Sequence, residues 1–315
     1  MRADRTDPAA VDAPGATTAI VLPEHPIKGA FWMIAAGVAG AAMIVCIRHA
    51  AEDVHAFEIA FFRCFFALIL LLPWIVKTEI AVPPKGQLKL HLLRAFCLVA
   101  AMLLSFWALI LIPVLDATAL AYTTPLFATV GAALFLKETV GIRRWLAIAV
   151  GFAGVLAIVR PGFAEIGLGV ALALVSAVFA AGDWLTLKPL SRRASTWSVV
   201  AWLTLLATPM TLIPALFVWK APGLATVGWL FGLGVAATLG QFAATRAFAL
   251  ADISFLSPFN FLHLIFFAAV GWLAFGEPVH SLTALGAAVV LAAAVYVAQR
   301  EAYLKRKEAA AVQAP

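Results

Sequence analysis

From Lys28 to the neighbourhood of Arg300 the chain is a succession of apolar runs separated by a few polar residues. Runs of about 20 residues are long enough to cross the roughly 30 Å hydrocarbon layer of a bilayer as a helix. Inside that layer no water satisfies backbone N–H and C=O groups, so a spanning segment must be a helix or belong to a closed barrel. The runs fall near 29–47, 55–76, 92–112, 116–136, 144–160, 166–187, 196–219, 224–248, 252–275 and 280–298, and they predict ten transmembrane helices. Their connections leave no room for a soluble domain. Charged residues make up only 12% of the chain and hydrophobic ones 64%, against about 25% charged in soluble domains. The expectation is an all-α integral membrane protein whose solvent is the lipid bilayer.

Residues 1–27 are polar and rich in Ala, Pro, Asp and Thr. They read as a disordered cytoplasmic tail and not as a cleavable signal, which needs a basic start and a short apolar stretch. Residues 300–315 read as a second cytoplasmic tail. The basic excess lies at the ends of apolar runs, so it speaks of membrane orientation and not of a nucleic-acid partner. With the N-terminus inside, the inner segments collect most Lys and Arg, including Lys77, Lys85, Lys89 and Arg94 before the third span. Only Arg48, Arg160 and Lys220 fall outside, and Arg63 lies within a span. Both termini are therefore expected in the cytoplasm. Cys46, Cys64 and Cys97 sit inside apolar runs without a C-x-x-C pair, and read as small buried hydrophobes.

The stretch from Ala108 to Arg160, slid forward by 139 positions, lands without a gap on the stretch beginning at Ala247. Thr118 falls on Ser257, Tyr122 on Phe261, Phe127 on Phe266 and Glu138 on Glu277. One hairpin has been used twice. Ten spans then divide into two five-helix repeats, 28–162 and 163–299. Because five is odd, the second repeat enters the membrane from the opposite side, the inverted arrangement of many secondary transporters. Gly37 and Gly40, Gly151 and Gly154, and Gly228 and Gly232 are expected to let helix backbones approach.

The pattern Tyr122-Thr-Thr-Pro-Leu-Phe127, then Lys137-Glu138, Gly151-Phe-Ala-Gly-Val155 and Arg160-Pro-Gly162 resembles the EamA type of the drug/metabolite transporter superfamily. The resemblance covers about residues 28 to 300. Within it, His55-Ala-Phe-Glu-Ile-Ala-Phe-Phe-Arg63, His91-Leu-Leu-Arg94 and Ile158-Val-Arg-Pro161 look like the branch that includes S-adenosylmethionine uptake carriers. It implies a secondary transporter in a bacterial inner membrane, moving a small polar or zwitterionic metabolite such as an amino acid or a derivative. The same superfamily includes exporters of threonine, cysteine and aromatic amino acids. The second repeat departs from the first where Leu264 stands for Pro125 and Ala293 for Gly154.

No H-E-x-x-H, P-loop or G-x-S-x-G motif is present, so no enzyme signature competes with this reading, and no cofactor or metal is expected. A channel would call for a ring of like charges, and none is visible. The informative residues are polar groups inside apolar spans, each of which must face protein or a water-filled cavity. Arg63 lies five positions after Glu58, about 140° around the helix, so the two do not share a face. Arg63 is expected to meet a substrate carboxylate or another helix, or to snorkel outward. The ninth span carries Ser254, Ser257, Asn260 and His263 at spacing three. Its repeat mate carries Thr118, Tyr122 and Thr124, and Pro125 and Pro258 are positioned to kink the two helices and free carbonyls. These two helices are the expected pathway lining, with interhelical hydrogen bonding as the plainer alternative. Asp183 and Trp184 sit near the inner end of span six, and Gln241 in span eight. Asp183 is expected to bind an ammonium group, to carry a coupling proton, or to pair with Lys188 or another base. Trp107 and Trp272 fall near predicted membrane ends, where the aromatic belt accounts for such residues more often than substrate stacking does. Glu138 and Glu277 read as turn and capping residues. With no sodium-site pattern, a proton is the expected coupling ion. His263 and Asp183 are the candidates within the spans, with Glu58 near the outer end.

Overall fold

A computed structural model describes residues 26–77, 85–135, 142–159, 167–191, 196–250, 253–278 and 280–313. The described residues form eleven α-helices and no strand: α1 (Pro26–Ala50), α2 (Ala56–Lys77), α3 (Lys85–Leu111), α4 (Val114–Ala121), α5 (Thr124–Phe135), α6 (Ile142–Val159), α7 (Leu168–Ser191), α8 (Thr196–Leu216), α9 (Leu224–Leu250), α10 (Ile253–Phe275) and α11 (Ser281–Gln313). Six segments are long and apolar enough to cross a bilayer, and four shorter apolar helices accompany them. The expected fourth span is one of the six, but it is broken into α4 and α5.

The break lies at Tyr122 and Thr123, just ahead of Pro125. Proline brings no N–H, so the carbonyl four residues back, that of Ala121, loses its helical donor. The Thr124 hydroxyl supplies one instead at 2.8 Å, and the Thr123 hydroxyl donates to the Leu120 carbonyl at 2.6 Å. The expected kink is thus a full interruption in the first repeat. In the second repeat α10 runs unbroken through Pro258. At the C-terminus α11 continues to Gln313, so 300–313 is helical. At the other end α1 begins at Pro26, and residues 1–25 lie outside the described residues.

Helix pairings exchange between the two halves. α1 packs on α9 while α7 packs on α3; α1 also meets α10 while α7 meets α4 and α5. α2 pairs with α8 and α6 with α11. Swapping the first five spans for the second five maps this set of contacts onto itself, as a two-fold relation between duplicated units requires. Two apolar cores follow. The larger joins α1, α2, α3, α4, α8 and α9 around Ile47, Ile59, Leu230 and Leu233. The other joins α3, α4, α6, α7, α10 and α11 around Leu120 and Val290. The three cysteines are free and buried, as expected.

Most of the expected glycines seat a side chain of a neighbouring helix, and of the six only Gly154 meets another backbone among the described residues. A Cβ at Gly154 would lie 2.9 Å from the Gly286 carbonyl oxygen, and one at Gly40 would lie 3.1 Å from the Phe267 ring. Gly37 seats the His263 imidazole, and Gly151 seats Leu126. Gly228 departs from the expectation: a Cβ there would meet nothing within 4 Å among the described residues.

One end of the bundle is tied across the two halves. Gly276 takes a left-handed φ of +64°, which a residue with a Cβ rarely adopts, and ends α10. Glu277 then turns back: its N–H donates to the Gly271 carbonyl at 3.0 Å. Its carboxylate occupies the space a Cβ at Gly271 would need. Arg48, at the end of α1, donates to Glu277 at 2.7 Å and to the Ile112 carbonyl at 2.8 Å. The Val114 N–H donates to the second carboxylate oxygen at 2.7 Å, which caps α4. Glu277 is therefore a capping residue, as expected, but for a helix of the other repeat. Glu138 lies outside the described residues.

A second tie uses Asp53 in the turn after α1. It accepts from Lys220 Nζ at 2.6 Å, the Gly223 N–H at 3.0 Å and the Thr226 hydroxyl at 2.8 Å, and so caps α9. The Gly223 N–H above all, with Lys220 and Thr226, holds the Asp53 carboxyl well below the usual carboxylate range.

Candidate substrate pathway

The polar residues expected within the spans are not gathered into one pocket. Among the described residues they fall into three places, each between two helices.

His263 of α10 lies against α1. Its Nε2 is 3.0 Å from the Met33 carbonyl, so that nitrogen carries the proton and donates. The contact is possible because Gly37, one turn further along α1, leaves the imidazole room. The ring also packs on Phe267, with centroids 6.1 Å apart. Of the polar stripe at spacing three, His263 alone has a described side chain. Those of Ser254, Ser257 and Asn260 lie outside the described residues, as does that of Phe261.

On the facing α4–α5 segment, Thr118 donates to the Val114 carbonyl at 2.7 Å, within its own helix. Thr124 is committed to Ala121, as above. These hydroxyls serve the broken helix first. Tyr122 sits at the break, half-buried against the second core.

Arg63 of α2 meets another helix, one of the outcomes expected for it. Its Nη1 donates to the Met102 thioether of α3 at 3.1 Å, and its buried Nε has no partner among the described residues. A guanidinium within a span is disfavoured by about 2.5–3.5 kcal/mol near the centre on insertion scales. A thioether is only a weak acceptor. Among the described residues no carboxylate reaches Arg63. Glu58, one turn and a half earlier, is fully buried and is occupied by the backbone N–H groups of His55 and Lys220 at 3.4 and 3.2 Å. Trp107, at the end of α3, is edge-on to His55 and Phe57, with centroids 5.5 Å away in both cases. It is an internal residue joining the two cores, so the aromatic-belt expectation does not hold for it. Trp272 does face outward, at 62% exposure.

Asp183 of α7 pairs with a base, Arg94, while the side chain of Lys188 lies outside the described residues. Arg94 Nε of α3 donates to Asp183 Oδ1 at 2.9 Å, and both side chains are about nine-tenths buried. The helices come close here because Gly182 faces Cys97: a Cβ on Gly182 would lie 3.0 Å from its sulfur. Arg94 therefore does not belong to the connection before the third span. α3 begins at Lys85, which carries Arg94 into the bundle. His91, one turn back on α3, is 2% exposed, and its ring lies 6.5 Å from that of Trp202 on α8. Trp184, next to Asp183, is turned outward, and Gln241 of α9 is also at the surface of the chain. His91 and Arg94 carry a signal that was available in the sequence: two polar residues three apart, on one helix face, among apolar neighbours.

A bundle of apolar helices whose few buried charges lie between helices, with no extramembrane domain among the described residues, is a multi-pass membrane protein. The chain belongs to the EamA-like transporter family, whose model matches twice, over residues 27–160 and 167–299. Each match covers a little under half of the chain. It is 36% identical over 290 residues to a riboflavin transporter of Vibrio cholerae, covering 90% of this chain and 97% of that protein. It is 32% identical over 298 residues to a riboflavin transporter of Rhizobium johnstonii, covering 93% and 98%. To an S-adenosylmethionine uptake transporter of Rickettsia bellii it is 27% identical over 274 residues, covering 87% and 94%.

Proposed function

We propose that this protein is a secondary transporter that takes up riboflavin across a bacterial inner membrane by alternating access. The observation that carries the substrate is the full-length similarity to two proteins named as riboflavin transporters. The mechanism rests on the duplicated architecture. Two five-span repeats of opposite orientation rock about a common centre and expose it to one side at a time. The ties Arg48–Glu277 and Asp53–Lys220 both join one repeat to the other at the same end of the bundle. In this reading that end is the outer one and is closed, and both termini are cytoplasmic. The same naming of family and relatives supports transport over an enzymatic activity.

An amino-acid derivative such as S-adenosylmethionine is the second substrate reading. It is favoured by the relative of that name and by buried ionic groups, Arg63 and the Arg94–Asp183 pair, suited to a zwitterion. Uptake of labelled riboflavin, S-adenosylmethionine and a panel of amino acids into proteoliposomes decides between them. Saturable riboflavin uptake with counterflow is expected. Uptake of S-adenosylmethionine alone overturns the first reading, and non-saturable flux of any solute overturns the carrier mechanism. Reporter tags at both termini are expected in the cytoplasm and one at Lys220 on the outer face.

A further inference from the structure

The crossing of α3 on α7 is built unlike its counterpart in the other half of the molecule. The same displacement of 139 positions that relates the repeated hairpins carries Lys85–Leu111 onto Leu224–Leu250, so α3 falls on α9 residue for residue. His91 falls on Leu230, Arg94 on Leu233, and Asp183 of α7 comes from Ile44 of α1. Leu230, Leu233 and Ile44 are buried together in the larger apolar core. The architecture therefore seats this crossing with leucine and isoleucine side chains. Polarity at His91, Arg94 and Asp183 is not something the fold requires, and a buried ion pair is weak evidence for stability.

The polar version is also incompletely bonded. Arg94 uses Nε on Asp183, while its buried Nη1 has no partner among the described residues. His91 Nε2 is likewise buried without one. The two residues stand three apart on α3 and share a face. A carboxylate has roughly four acceptor positions, and the Arg94 bond takes one of them at Asp183. The Trp202 ring of α8 flanks His91.

We propose that His91, Arg94 and Asp183, flanked by Trp202, form the subsite that holds the polar edge of the transported molecule. The group recognised carries a hydrogen-bond acceptor beside a donor: the acceptor meets Arg94 Nη1 and His91 Nε2, and the donor meets Asp183. The inference rests on the transport reading above. The imide edge of riboflavin and the α-amino carboxylate of S-adenosylmethionine both present such a pair, so both serve as probes.

The test is binding to the purified full-length protein in lipid nanodiscs, read by quenching of flavin fluorescence for riboflavin and by calorimetry for S-adenosylmethionine. The triple variant His91→Leu, Arg94→Leu, Asp183→Ile copies the other crossing. It is expected to keep the wild-type thermal midpoint and to bind the probe that the wild type binds about ten- to a hundredfold more weakly. His91→Leu alone leaves the ion pair intact and is expected to lose about tenfold in affinity, with His91→Gln recovering most of it. Unchanged affinity in the triple variant overturns the subsite and leaves the transport reading standing. A triple variant that unfolds, together with full affinity in His91→Leu, overturns it as well. Wild-type protein that binds neither probe overturns both substrate readings and the subsite with them.

Discussion

Glu277→Ala removes the one side chain that holds three segments at the Arg48 end. Two charge-assisted bonds are lost, from Arg48 Nη2 and from the Val114 N–H, both at 2.7 Å. Each such bond contributes about 1.5–3 kcal/mol where it is shielded from solvent. The side chains of Arg48 and Glu277 are 19% and 16% exposed, so screening by water is limited. Arg48 keeps two partners, the Ile112 carbonyl and the face of Phe275 at 5.5 Å, which recover part of the loss. The expected net destabilisation is about 3 kcal/mol, equivalent to a fall of roughly 6–12 °C in the thermal midpoint for a domain of a few hundred residues. The assay is thermal unfolding of the detergent-solubilised protein followed by fluorescence-detected gel filtration. A double-mutant cycle with Arg48→Ala should return a coupling of about 1–3 kcal/mol, because either substitution alone already breaks the pair. A shift below about 2 °C for Glu277→Ala, or strict additivity with Arg48→Ala, would refute the reasoning.

Gly37→Ala places a methyl group where the His263 ring sits, so α1 and α10 must separate or the Met33 bond must break. A loss of about 1–3 kcal/mol is expected in the same thermal assay, and a neutral result would show that the two helices are not in contact there. His263→Gln can keep a donor for the Met33 carbonyl but cannot titrate. If a proton couples at His263, proteoliposomes with this variant should still exchange substrate between equal pools while failing to build a gradient from a pH difference; a gradient that persists excludes His263 as the coupling group. Asp53 has its carboxyl pKa depressed in the folded protein, so its contribution is complete above the ordinary value of about 3.9 and fades as pH falls through the lower folded value. The gap in thermal midpoint between wild type and Asp53→Asn should therefore hold from neutral pH down to about pH 4 and close only below it; a gap that closes between pH 7 and 5 would place the controlling titration elsewhere.

The fold class and the duplication were determined by the sequence alone, because both depend on local properties. The length of an apolar run decides whether a helix can cross a bilayer, and a repeated hairpin with Glu138 on Glu277 declares itself without coordinates. The presence of Arg63, Asp183 and His263 inside spans was equally plain, since a polar residue in a hydrophobic run is visible one residue at a time. Which group answers each of them was decided only by the tertiary structure. Arg94 and Asp183 are 89 positions apart, and Arg48 and Glu277 are 229 apart. Their meeting depends on the rotation and register of helices from different hairpins, which the apolar periodicity of a lipid-facing helix hardly specifies. For this reason Arg94 reads as a loop base in the sequence and stands in the bundle as an ion-pair partner. For the same reason Thr118 and Thr124 read as pathway groups, whereas Thr118 donates within α4 and Thr124 donates across the break to Ala121. The helix interruption before Pro125 follows that pattern: proline announces a lost hydrogen bond, but only the folded chain determines whether the helix bends, breaks or, as at Pro258, continues.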